Sequence, residues 1–292
     1  MKIQTECVPC LIKRIVFEAE HSSNDPEKIS KAIGDACRVL GELYNPNKCS
    51  VTIATKVHKA AYDALENNDP YRDLKNQANK IAQVLVSRVE ELIENSDDPL
   101  KTSMICAIIG NMMDFGIAGG SSHPSMLKEI FEKTYADGLG YDDYDKLRGF
   151  LKNSKHITLF TDNCGEIVFD KILCREIKKF NPNLKITLVV EGKPVLSDAT
   201  IEDAEELGFD EVVDEILTTG CFAVGVDFSK LPKDLEETLD ETDLVVCKGM
   251  ANYEAFSETD YRPICYLMRT KCNAIADSMG VPVHINAVKL YS

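Results

Sequence analysis

The feature that most constrains this fold is a change of pattern near residue 155. Beyond it, short β-rich apolar runs at Ile157–Phe160, Lys185–Val190, Asp243–Cys247 and Pro263–Met268 alternate with helical stretches at Ile167–Phe180, Ile201–Leu207, Met250–Phe256 and Cys272–Met279. Such alternation predicts a mainly parallel sheet with crossover helices, and runs apolar at every position predict strands covered on both faces. Before the change, apolar residues recur three and four apart, which predicts helices over roughly 7–20, 26–43, 51–67, 71–94, 100–113, 124–135 and 142–152. Asp25-Pro26 and Asp98-Pro99 read as a capping residue followed by proline at the first helical position. The expected fold class is α/β, with an all-helical domain over 1–152, an α/β domain over 153–292, and the Gly- and Asp-rich Asp137–Asp145 as linker.

Charge and apolar run length restrict the partners. With 33 basic against 48 acidic residues the chain carries a net charge of −15, which argues against duplex nucleic acid or an anionic membrane as the main partner. Runs such as Ile105–Ile109 fall far short of the roughly 20 residues a membrane span needs. The first residues lack the apolar core of a signal peptide, so a cytoplasmic protein is expected. Eleven cysteines, an odd number irregularly spaced, do not make the disulfide framework of a small secreted domain, and most are expected to be free, buried thiols. No oligomeric state follows from these features.

In an open parallel sheet, ligands bind beyond the carboxyl ends of the strands. Three strand ends carry chemistry: Thr161-Asp162-Asn163-Cys164-Gly165-Glu166, Glu191-Gly192-Lys193-Pro194-Val195-Leu196-Ser197-Asp198, and Lys248-Gly249-Met250-Ala251-Asn252-Tyr253-Glu254. Asp162, Asn163 and Asp198 offer hard oxygens of the kind Mg²⁺ or Mn²⁺ prefers. Each of the three alone reads better as a helix cap than as a ligand, and their convergence on one sheet edge reverses that preference in favour of the metal. Lys248-Gly249 supplies a cation and an approachable backbone at a helix start, which suits a phosphate but also describes an ordinary surface lysine. Asn252 and Glu254 are expected within reach of the same crevice. Gly110-Asn111-Met112-Met113-Asp114 ends an apolar helix, so Asn111 and Asp114 either satisfy backbone groups or line an interdomain cleft, with Gly116, Gly119, Gly120 and Ser121–Ser122 as a covering loop. Cys7-Val8-Pro9-Cys10 lacks the second cysteine pair of a zinc site. The five histidines lack metal-ligand spacing, and no GxSxG or HExxH occurs.

Taken in order, the Asn111, Asp162-Asn163, Ser197-Asp198 and Lys248-Gly249-Met250-Ala251-Asn252 segments resemble the metal-dependent damage-control phosphatases. That family was formerly the domain-of-unknown-function family 89, and it also takes in proteins described as acidic-residue methyltransferases. The resemblance spans nearly the whole chain, and Cys7-x-x-Cys10 is similar to the mark of its prokaryotic and archaeal branch. It implies a helical N-terminal domain on a Rossmann-like α/β domain. It further implies a divalent cation (Mg²⁺, Mn²⁺, Co²⁺ or Ni²⁺) on Asp162, Asn163 and Asp198, with Asp162 and Lys248 catalytic. Contacts to a small phosphorylated metabolite are implied by it for Lys248, Asn252 and Glu254, and the reading of the strand and helix ends adds Asn111, Asp114, Glu166 and Gly249 to the expected contacts. Arg269-Thr270-Lys271 is similar to an Arg-Thr-x-Lys motif without its spacer and adds Lys271 as a phosphate ligand. The function expected is hydrolysis of sugar phosphates or damaged phosphometabolites. Two competing readings are an S-adenosylmethionine-dependent carboxyl methyltransferase, against which the missing Gly-rich turn counts, and a non-enzymatic metal or redox module built on Cys7 and Cys10.

Overall fold

Seven strands form one sheet in the order β1-β7-β6-β5-β2-β3-β4. The computed structural model describes residues 1–111 and 124–292. The strands are β1 (Tyr141–Asp142), β2 (His156–Phe160), β3 (Lys185–Val190), β4 (Glu215–Thr218), β5 (Leu244–Lys248), β6 (Ile264–Arg269) and β7 (Asn286–Tyr291). All neighbours pair in parallel except β6 and β7. β2 and β5 are buried at every position, as their unbroken apolar runs require.

Alternate residues of each central strand face opposite layers. Ile157, Leu159, Leu188, Val246 and Leu267 belong to one buried cluster, together with α4 (Arg72–Glu94), α5 (Pro99–Gly110) and α8 (Glu166–Phe180). Phe160, Val189, Val245, Cys247 and Tyr266 belong to the other, under α10 (Lys233–Glu241), α11 (Gly249–Phe256) and α12 (Asn273–Met279). The helical half is therefore divided in its packing. Helices α1 (Cys7–Ser22), α2 (Pro26–Leu43) and α3 (Ser50–Leu65) carry a small core of their own around Ile15, Ala36, Ile53 and Val57. By contrast, α4 and α5 form part of the sheet's covering layer, so one continuous core crosses the expected boundary at 152, and β1 joins the sheet from before it. The remaining helices are α6 (Pro124–Ala136), α7 (Tyr144–Asn153) and α9 (Ile201–Glu206).

Local signals in the sequence explain the helix starts. Asp25 accepts from the Glu27 N–H and Asp98 from the Lys101 N–H, each before a proline at the first helical position. Helix α5 is apolar on every face from Met104 to Gly110, where all residues but the half-buried Ile105 are buried. All eleven cysteines are free thiols as expected, but only five of them, Cys106, Cys164, Cys174, Cys247 and Cys265, are buried. None of the described helices is long and apolar enough to cross a membrane.

Candidate active site

The chain runs outward from β2 to one side through β3 and β4, then returns to the other side through β5. This reversal opens a crevice beyond the carboxyl ends of β2 and β5, where α/β sheets bind ligands. The loops after β2 and β3 are stitched together there. Cys164 N–H donates to the Ser197 carbonyl at 2.7 Å, Ala199 N–H to the Asp162 carbonyl at 2.9 Å, and Asn163 bridges Asp198 as an antiparallel pair. The Ser197 hydroxyl donates to Asn163 Oδ1 at 2.6 Å. Asp162, Asn163 and Asp198, from two separate loops, are thus brought together as expected.

Neither aspartate caps a helix. The residue before α8 is Gly165, without a side-chain cap, and α9 is capped by Thr200 and Asp203. Asp162 instead accepts from Asn111 Nδ2 at 2.5 Å and Asn163 Nδ2 at 2.6 Å, both on Oδ2. Gly249, at φ +73°, lies directly against this carboxylate, and a Cβ there would overlap it. Burial, with Glu166 and Asp198 nearby, pushes the Asp162 carboxyl well above its ordinary range, while Lys271 and Asn111 pull it down. Glu191, the first residue after β3, was not singled out from the sequence. It is buried, accepts from the Thr219 hydroxyl at 2.8 Å, and is raised by burial and by the charges of Asp198 and Asp162. Its position one residue past a buried strand was the available signal.

Among the described residues no three His, Cys, Asp or Glu side chains form a ready-made metal cage. The donor set is two carboxylates and an amide, with Glu191 close by. It fits a divalent cation on chemical grounds: the charge of Asp198 raises both Asp162 and Glu191, and a hard cation among these carboxylates would relieve that repulsion.

Several expected contacts are not where the sequence suggested. Lys248 does not face the crevice. Its ammonium is fully buried and donates to the Ala107 carbonyl at 3.1 Å, Glu166 Oε1 at 2.5 Å and Asp170 Oδ1 at 2.6 Å, which engages all three of its N–H groups. Its pKa stays above the ordinary lysine value because Asp170 and Glu166 outweigh desolvation, the largest single effect. Glu166 is 0% exposed and so is closed to substrate; its Oε2 accepts from Asn111 Nδ2 at 2.6 Å. The Asn111 amide nitrogen is thus spent on Glu166 and Asp162. Asn252 Nδ2 donates to the carbonyls of Thr161 and Lys248 at 2.8 and 2.9 Å, bracing the two strand ends. Glu254 lies two residues on, hence on the opposite side of α11, where it pairs with Ser50 near the N-terminal ammonium. Lys271 is brought to the site: its Nζ donates to the Asn111 carbonyl at 2.6 Å and its charge reaches Asp162. Asp114, Met112, Met113 and the expected covering loop lie outside the described residues.

The helical layer holds the site from behind. Asn79 on α4 accepts from the Gly165 N–H at 2.6 Å and donates to Asp203 at 3.1 Å. One turn earlier, the buried Lys75 lies 3.6 Å from Asp203. Polar residues spaced i,i+4 on an otherwise apolar stripe are the signal for this pair. A cavity of about 610 Å³ lined by Tyr253, Tyr266 and Tyr291 lies away from this edge, toward the amino end of β6.

Comparison with known proteins identifies the family. The profile of the Damage-control phosphatase ARMT1-like domain matches residues 3–285. A protein of Archaeoglobus fulgidus named damage-control phosphatase is 37% identical over 283 residues, covering 97% of each chain. One of Pyrococcus horikoshii, also named a damage-control phosphatase, is 29% identical over 282 residues, covering 97% of this chain and 96% of its own. The crystal structure of a DUF89 family protein from P. horikoshii superposes with a TM-score of 0.90 at 28% identity, covering 100% of both chains.

Proposed function

The chain belongs to the damage-control phosphatase ARMT1-like family, and on that footing we propose that it is a divalent-cation-dependent phosphatase acting on small phosphomonoesters such as sugar phosphates or damaged phosphometabolites. The observation that carries this reading is the convergence of Asp162, Asn163 and Asp198 on two stitched loops at the sheet's reversal point. Asp162, Asn163 and Asp198 would hold the cation, with Glu191 behind them. When bound, it would offset the carboxylate charge and stabilise negative charge developing on phosphoryl oxygens.

The protein groups have separate tasks. Asn111 and Asn163 fix Asp162 through Oδ2, which sets the carboxylate's direction. Lys271, held on the Asn111 carbonyl with its charge acting on Asp162, provides positive charge for the phosphoryl group, the role that Lys248 is too enclosed to fill. Gly249 lets the β5–α11 backbone close on Asp162. A carboxyl methyltransferase gains no support, since β2 is followed by Asp162-Asn163 where a Gly-rich cofactor turn would be needed.

The test is phosphate release from a panel of small phosphomonoesters, with EDTA or with added Mn²⁺, Mg²⁺, Co²⁺ or Ni²⁺. Release that needs the cation and is lost in Asp198→Asn is expected. Absence of release with every cation, or release unaffected by EDTA, would overturn the reading.

A further inference from the structure

Behind the crevice lies a chain of buried polar contacts that the proposed chemistry does not itself require. It starts at Asp170, fully buried in the middle of α8, whose Oδ1 accepts from Lys248 Nζ at 2.6 Å. The same ammonium reaches Glu166 Oε1 at 2.5 Å and the Ala107 carbonyl of α5 at 3.1 Å. Glu166, one turn before Asp170, uses its second oxygen to accept from Asn111 Nδ2 at 2.6 Å, and that nitrogen also reaches Asp162 Oδ2 at 2.5 Å. The contacts therefore run unbroken from Asp170 to Asp162, across α8, β5 and α5.

One ammonium facing two carboxylates is a poor way to stabilise an interior, because such ion groups often contribute less than apolar side chains of equal volume. What they do supply is direction. Lys248 fixes one Glu166 oxygen, so the other must face Asn111, and Asn111 must then present its amide to Asp162. Interactions one shell behind a metal ligand orient it, and their loss typically lowers metal affinity or activity about 10–100-fold.

We propose that Asp170 and Lys248 are positioning residues that set the direction of the Asp162 carboxylate through Glu166 and Asn111. This rests on the reading of Asp162 as a cation ligand. Lys248 accordingly acts on the reaction without touching the substrate, and Asp170 belongs to the functional apparatus although it lies away from the crevice.

The experiment measures Mn²⁺ affinity by calorimetry, and kcat and KM for p-nitrophenyl phosphate, in the parent, Asp170→Leu and Asp170→Asn. Thermal melting of each variant runs alongside. Asp170→Leu keeps the Lys248–Glu166 pair and a similar volume, and Asp170→Asn keeps an acceptor for Lys248. The expected result is Mn²⁺ affinity weakened about 10–100-fold and kcat lowered by a similar factor in Asp170→Leu, with KM within about threefold. Asp170→Asn should recover most of both. If Asp170→Leu does not fold, Lys248→Met/Asp170→Leu, which removes both charges of that arm, is expected to show the same losses. Mn²⁺ affinity within about twofold of the parent in a folded Asp170→Leu or double variant overturns the positioning role and leaves the cation site standing. A parent that binds no Mn²⁺ overturns the cation site and this inference with it.

Discussion

Gly249→Ala separates backbone strain from active-site displacement. Gly249 sits at φ +73°, in the left-handed region, and its Cβ would fall on the Asp162 carboxylate. The conformational part is worth about 1–2 kcal/mol for any L-residue. Gly280 gives the control, because at φ +67° it has nothing within 4 Å of where a Cβ would go. Gly280→Ala should therefore show the strain alone, a fall in Tm of about 2–8 °C at roughly 2–4 °C per kcal/mol, with phosphatase activity unchanged. Gly249→Ala carries the same strain and must also move either the β5–α11 turn or Asp162. Displacing a catalytic group by about 1 Å costs on the order of 10² in rate, so kcat/KM should fall at least that far while Gly280→Ala stays at parental activity. The assay is phosphate release with saturating Mn²⁺ alongside thermal melting. Equal melting losses in the two variants with parental kcat/KM in Gly249→Ala would refute the placement of Asp162 against this glycine as a functional contact.

Three further outcomes follow from the same geometry. Asp162 and Glu191 are raised on folding, so each favours the folded state while protonated, an advantage present below the ordinary carboxylate range of about 4 and lost as pH rises through the folded value. In EDTA, Asp162→Asn should therefore gain stability relative to the parent as pH is raised from about 4 to 7, and a relative loss would contradict it. Asn79→Leu leaves the Gly165 N–H without its acceptor and should cost about 1–3 kcal/mol in urea denaturation; an unchanged midpoint would remove α4 from the support of the site. Cys7→Ser/Cys10→Ser should retain phosphate release, since Cys7 starts α1 and packs on the apolar clusters around Ile15 and Tyr253, and Glu254 beside it lies on the side of α11 turned from the crevice; loss of activity with unchanged melting would place the pair in the chemistry.

How far the sequence led depended on whether the deciding contact was local. The alternation after residue 155 is local, and it located β2, β3, β5 and β6 to within a residue or two. Strands β1, β4 and β7 escaped it because β1 has two residues, β4 is half-buried at every position and β7 loses its burial halfway along. Asp162, Asn163 and Asp198 could be grouped because a parallel sheet brings strand ends together whatever the connections. Lys248 could not be read the same way: its direction is decided by Asp170, 78 residues earlier on α8, and an isolated strand-end lysine carries no mark of a buried partner. The displacement of Glu254 was accessible in principle, since residues two apart on a helix do not share a face. The packing of α4 and α5 into the sheet's layer depends on close approach, as at Gly110, where a Cβ would come within 2.8 Å of Phe169.

The most direct test of the central claim is calorimetric titration of Mn²⁺ into the parent and into Asp162→Asn. The account predicts one Mn²⁺ bound per parent chain and no measurable binding to a folded Asp162→Asn; unchanged affinity in that variant would contradict it.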